Sequence, residues 1–223
     1  MKKVLRKIAA IVTVASMCML SFTGCSETKS GGSSSSGKES DTINLGFVLP
    51  LTGSVPNLGS AMKNGAELAI EEINNAGGIN GKKIKATIED DENKPATAPN
   101  AITKLIEQDK VDAVLGTYAS SCSIAMAPIA AQNKKVMLSI GSTNAKVTSE
   151  GGEYVFRACF IDPFQGKIAA EYAYNDLDAK KVAVLYDVGK DYCVGISDTF
   201  KETITSLGGE IAYEGKYNTG ESD

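Results

Sequence analysis

From Thr42 onward, short apolar runs alternate with longer stretches in which apolar residues recur at helical spacing. This alternation limits the chain to parallel sheets with helices packed on their faces. Residues 43–49 are an apolar run closed by Pro50 and Gly53 and predict a strand. Residues 60–76 place Met62, Ala66, Ala69, Ile70 and Ile73 on one helical face, and Gly77-Gly78 stops the helix. A strand is predicted over 83–89, a helix over 98–108, a strand over 111–115, a helix over 121–132 despite Pro128, and a strand over 136–140. After a connection near 154–161, Asp162 is expected to cap a helix with Pro163 at its first position. That helix runs towards Leu177. A strand over 181–186, a helix over 191–207 ended by Gly208-Gly209, and a strand over 210–216 follow. The pattern gives two α/β units, 42–160 and 161–223, the second stopping at Asp223.

The first 41 residues have a different character. Lys2, Lys3, Arg6 and Lys7 precede an apolar run from Ile8 to Leu20, and Thr23-Gly24 precede Cys25. The run is shorter than the ~20 residues a membrane crossing needs. The order basic, apolar, small, cysteine reads as an export signal over 1–24 with lipid attached at Cys25. An ordinary secretory signal cut elsewhere is the alternative. Residues 25–41 are rich in Ser and Gly and predict a flexible tether.

Composition narrows the chemistry. Removing residues 1–24, which carry four basic and no acidic side chains, takes the net charge from −4 to about −8. Nucleic acid, which needs a basic footprint, is therefore an unsuitable partner. There is no histidine, which excludes Ser-His-Asp and Cys-His catalysis and most zinc sites. An enzyme would have to use Ser120 or Cys122 as nucleophile, and no Ser-x-x-Lys pairing lies in these loops. No phosphate loop of the G-x-x-x-x-G-K-[ST] type occurs, and no cofactor is expected. Besides Cys25, the exported part carries Cys122, Cys159 and Cys193. They are expected to be small buried thiols, with one disulfide plus one free thiol as the alternative.

Open parallel sheets bind ligands beyond the carboxyl ends of their strands. Four such loops are small, polar or glycine-rich: 50–59, 116–123, 141–144 and 187–193. The first three are expected to converge on one edge of the first unit and the fourth to face them from the second. Ser120 and Ser121 fall at a predicted helix start, where free N–H groups and the helix dipole favour an anion such as a carboxylate. Each feature also has a plainer reading: a serine cap, a turn at Gly141-Ser142-Thr143, a packing aromatic at Tyr192. Their joint placement on facing strand ends points to a small polar solute held in a cleft.

With these residues in place, the chain resembles the periplasmic solute-binding proteins of the branched-chain amino-acid class, the receptors of ABC importers. The matching stretches are 43–59 with its Pro-Leu-Thr-Gly turn, 65–81 with Glu71-Glu72-Ile73-Asn74 and Gly77-Gly78-Ile79-Asn80-Gly81, 112–130, 139–144, 157–166 and 182–195. The resemblance implies a type I (Venus-flytrap) fold, two doubly wound parallel-sheet lobes, here with the second incomplete, since relatives run well over a hundred residues further. It implies that Ser120, with Ser121 near, and the Thr143 amide hold an amino acid's carboxylate. Gly141 and Thr143 would hold its ammonium group, with Ser142 in the same loop, and Tyr192 would close over it. Leu58 stands where an aromatic is common, and Cys122 where relatives have a small polar residue. The partners implied are a neutral amino acid, the permease subunits of an importer, and membrane lipid through Cys25. A monomer that binds without catalysis is expected. A sensory module signalling to a membrane partner is the alternative.

Overall fold

The computed structural model describes residues 42–221. The expected export signal, Cys25 and tether lie outside the described residues. Five strands form one parallel sheet: β1 (Thr42–Leu49), β2 (Lys83–Asp90), β3 (Ala113–Gly116), β4 (Val136–Ser139) and β5 (Val155–Arg157). Their order is β2-β1-β3-β4-β5. The chain first steps one way from β1 and then the other, so the winding direction switches between β1 and β3. A crevice opens at such a switch, beyond the carboxyl ends of the strands.

The strands form where the apolar runs predict them. Phe47, Val48 and Leu49 are all buried, as in a strand covered on both faces. Edge strand β2 instead alternates, with Ile84 buried between exposed Lys83 and Lys85. The crossover helices are α1 (Pro56–Asn75), α2 (Ala98–Thr103), α3 (Ser120–Gln132) and the short α4 (Lys146–Ser149). The main core lies between the sheet and α2 and α3. Ala98, Ala101, Ile102 and Leu105 follow the i, i+3, i+4, i+7 spacing of one helical face, and pack with Met126, Ala127 and Ala130 of α3 and with Val48, Val114 and Met137 of the sheet.

Several details differ from expectation. The helix predicted over 98–108 changes at Lys104 into a π turn, Lys104–Gln108. The wider turn lets the consecutive Leu105 and Ile106 both reach the core, at 0% and 5% exposure. Pro128 does not end α3, because Met126, Ala127 and Ala130 around it are buried and hold the helix despite the lost N–H. The connection 154–161 contains β5, whose three residues are too few to show a pattern. Asp162 is not a cap. Ile161 is the N-cap, and α5 (Asp162–Asn175) starts with Asp162 and carries Pro163 in its first turn.

Beyond α5, β6 (Lys181–Asp187), α6 (Asp191–Ser206) and β7 (Glu210–Tyr217) form a second, two-stranded parallel sheet. Ala212 is an extra residue on the β7 side, between the pairs Val182–Ile211 and Ala183–Tyr213. Helices α5 and α6 pack along each other, and α6 also reaches α3 of the first unit.

Candidate functional site

Loops at strand ends and helix starts around the five-stranded sheet and α6 surround one cavity of about 310 Å³. Ser120 and Ser121 open α3 as its first two residues, with Ala119 as N-cap. Gly141 and Thr143 come from the loop after β4, and Tyr192 from the start of α6. These five predicted residues line the same cavity. Ser142 and Leu58 do not. Ser142 is fully buried behind the wall, and Leu58 lies in the first turn of α1, 41% exposed.

The loops are fixed from behind by a buried hydrogen-bond network. The hydroxyls of Ser142 and Ser123 lie 2.8 Å apart, and Ser142 Oγ donates to the carbonyls of Thr117 (3.1 Å) and Tyr118 (3.2 Å). Ser142 therefore ties the loop after β4 to the loop after β3. Arg157 donates to the carbonyls of Asn144 (2.5 Å) and Ser142 (3.3 Å) and to Thr148 Oγ1 (2.8 Å). Thr117 donates its hydroxyl to the buried Asp91 at 2.5 Å.

Two side chains from beside the five-stranded sheet reach the start of α6. Asn144 Nδ2 donates to the Asp191 carbonyl at 2.6 Å, and Ser121 Oγ accepts from the Asp191 N–H at 3.3 Å. Ser120 Oγ accepts from the Asn144 N–H at 3.2 Å. Neither serine is the plain cap of its own helix. Both hydroxyls bind the loops that shape the cavity.

Two amide atoms of the cavity lining, Gln165 Nε2 and Asn93 Oδ1, are buried without a protein partner among the described residues, and the buried Thr143 hydroxyl has only the Asp162 carboxylate near it. Burying such groups unpaired is costly, so a cluster of them marks a place built for something else to bind. Burial pushes the Asp162 carboxyl above its ordinary value, against the pull of the nearby Thr143 hydroxyl and the Arg157 charge. Burial and the Asp162 charge raise Tyr192, which stays a neutral phenol.

Asn93, Phe160, Gln165 and Lys190 line the cavity too. Asn93 follows β2, a strand end whose loop was not singled out in the sequence although the topology points it the same way. Phe160 follows β5, which gives no readable pattern, whereas Gln165 lies in the predicted helix after Asp162 and in the matching stretch 157–166 without being assigned to the site. Lys190, like Tyr118, Ala119 and Cys193, lies in a loop the sequence does single out. The three described cysteines are free, but only Cys122 is buried; Cys159 and Cys193 are half-buried. Burial, reinforced by the charge of Asp91, pushes the Cys122 thiol up to about 12. It is a protonated core thiol at neutral pH and no nucleophile.

Residues 42–223 match the periplasmic binding protein family. The chain belongs to that family. An amino acid binding protein of Pseudomonas aeruginosa is 40% identical over 181 residues, spanning 80% of this chain and 48% of that protein. The Leu/Ile/Val-binding protein homolog 1 of Brucella abortus is 37% identical over 180 residues, again 80% and 48%. The leucine binding protein LivK of Thermotoga maritima superposes with a TM-score of 0.76 at 37% identity, covering 82% of this chain and 51% of that one. The branched-chain amino acid transporter substrate binding protein LivJ of Streptococcus pneumoniae, solved with isoleucine, gives 0.75 at 36%, with the same coverage. The chain thus spans about half the length of the relatives it matches. The mixed α/β fold with a parallel sheet is that of the type I periplasmic binding proteins, and the family places the chain outside the cytoplasm.

Proposed function

We propose that this chain forms the amino-acid-capturing part of an extracytoplasmic receptor that serves an ABC importer. The observation that carries the reading is the shared cavity: a helix start with two serines, Gly141 and Thr143 of the loop after β4 and a tyrosine from the start of α6 line it together with Asn93 and Gln165, whose Oδ1 and Nε2 are buried without a protein partner among the described residues. The first N–H groups of α3 have no intrahelical partner, and with the helix dipole they suit a carboxylate. The Gly141 carbonyl and Thr143 Oγ1 accept from an ammonium group. Tyr192 and α6 close the cavity from the second unit. A zwitterion fits this division of labour, and burying it between two units couples binding to closure. The docked, closed form would be what the permease recognises.

The test of the site is Thr143→Ala, measured by calorimetric titration with neutral amino acids. Removing a buried hydroxyl that meets a charged group should weaken binding by about 1–3 kcal/mol. Unchanged affinity would remove Thr143 from the site. Anchoring is tested separately. A diacylglycerol thioether on Cys25 supplies two acyl chains, enough for stable membrane attachment. Cys25→Ala should release the protein into the medium on cell fractionation, and full membrane retention would overturn the anchor.

A further inference from the structure

From Asp90, the last residue of β2, the chain turns through residues 91–94 in a loop held by several side-chain hydrogen bonds. Asp90 Oδ1 accepts the N–H groups of Leu51 (2.9 Å), Thr52 (3.2 Å) and Glu92 (2.8 Å), and its Oδ2 accepts the Thr52 hydroxyl (2.5 Å). Asp91, fully buried, accepts the Asn93 N–H at 2.9 Å. Glu92 and Asn93 are thereby held at φ +54° and +57°, a region that residues other than glycine seldom occupy. Such a costly conformation persists where the surroundings enforce it, often at functional sites. Here it places Asn93 in the cavity wall.

One end of the Asn93 amide donates to Ser54 Oγ at 2.9 Å. The other end, Oδ1, is buried with no protein partner among the described residues. The Ser54 hydroxyl can donate as well as accept, so turning the amide over would leave its nitrogen in the same position. Either way an unpaired polar atom stands in the wall. Gln165, in the first turn of α5, also lines the cavity, with Nε2 buried and without a protein partner among the described residues. Two buried amide atoms, Asn93 Oδ1 and Gln165 Nε2, therefore belong to residues that line the cavity with the serine and threonine loops. An aliphatic ligand group against these amides would leave them unpaired, whereas a group that both donates and accepts would complete them. No net charge is favoured at that end, because Lys190 lines the cavity and Asp91 lies behind Asn93.

We infer that Asn93 is a specificity-determining residue, and that it selects amino acids with an uncharged hydrogen-bonding side chain, a carboxamide or a hydroxyl, over purely aliphatic ones. This rests on the amino-acid reading given above. The test is calorimetric titration of the purified chain with L-glutamine, L-asparagine and L-threonine against L-leucine, L-isoleucine and L-valine, repeated with Asn93→Gly. Glycine accepts the positive φ without strain, so this variant removes the amide and keeps the loop. At least one polar ligand should bind about tenfold more tightly than any aliphatic one, and Asn93→Gly should narrow that gap to about threefold or less. Tighter binding of an aliphatic amino acid than of all three polar ones would overturn the selectivity and leave the amino-acid site standing. A gap that survives in Asn93→Gly would take the role away from Asn93. No binding of any amino acid by a chain that melts cooperatively would overturn both readings.

Discussion

Gly195→Ala should lower ligand affinity by about two orders of magnitude while leaving the helix content of the protein unchanged. Gly195 lies in the first two turns of α6, facing the first unit. A Cβ there would stand 2.6 Å from Asp162 Oδ2 and 2.8 Å from Asn144 Nδ2, closer than real contacts allow. Neither neighbour can retreat freely. Asn144 is held by three bonds, its Nδ2 to the Asp191 carbonyl, its N–H to Ser120 Oγ, and its Oδ1 accepting from the Lys146 N–H at 2.9 Å. Asp162 is fully buried. The added methyl must therefore push α6 outward, which breaks the Asp191 contacts to Ser121 and Asn144 and carries Tyr192 and Lys190 away from the cavity. Within a helix, alanine is otherwise favoured over glycine by about 1 kcal/mol. The two effects oppose each other, which makes the experiment decisive. Weaker binding with intact circular dichroism means that the close approach of α6 is the binding form. Unchanged binding with a higher melting temperature means that α6 has no need of it.

The sequence carried the fold because its signals were of the kind that burial enforces. Continuous apolar runs such as Phe47-Val48-Leu49 have one stable use, the interior of a parallel sheet. The 98, 101, 102, 105 spacing has one stable use as well. What could not be read was short or contextual. Strand β5 owes its existence to its neighbour β4, since three residues carry no period. The shift to a π turn at Lys104 depends on which side chains the sheet accepts. Of the cavity lining, Ser120, Ser121, Gly141, Thr143 and Tyr192 fall in loops that the sequence marks as helix starts and strand ends, while their proposed roles come from the resemblance. Asn93 was not, because its position is set by the hydrogen bonds of Asp90 and Asp91 across 39 residues to Leu51 and 26 to Thr117. Ser142 reads from sequence as equivalent to its neighbours, and only the fold shows that it faces inward. Ser121 also does more than the sequence suggests, because its hydroxyl accepts from the Asp191 N–H at the start of α6, 70 residues away.

Gly116→Ala should be the more damaging glycine substitution for the fold itself. Gly116 ends β3 at φ +133°, where side chains are rarely tolerated, and a Cβ would lie 2.1 Å from the Val48 carbonyl oxygen. The obstacle is backbone, and it belongs to the paired residue of β1. The clash can be relieved only by parting β1 from β3, next to each other in the middle of the order β2-β1-β3-β4-β5. Disfavoured φ costs about 1–3 kcal/mol and overpacking about 1–3 kcal/mol more. Together these are about 2–6 kcal/mol, a substantial part of the about 5–15 kcal/mol that holds a domain folded. For a protein of this size each kcal/mol moves the midpoint by about 2–4 °C, so a melt should shift down by roughly 5–20 °C. Binding should fall further than stability alone explains, because Thr117 and Tyr118, which follow directly, carry the Asp91 and Ser142 bonds that hold the cavity wall. Gly195→Ala moves α6 away from α3 and spares the five-stranded sheet, whereas Gly116→Ala strains the sheet and moves the wall with it. A Gly116→Ala protein that melted with the wild type would mean that β1 and β3 are not this close at Val48, and the position of Ser120 relative to Thr143 would then have to be redrawn.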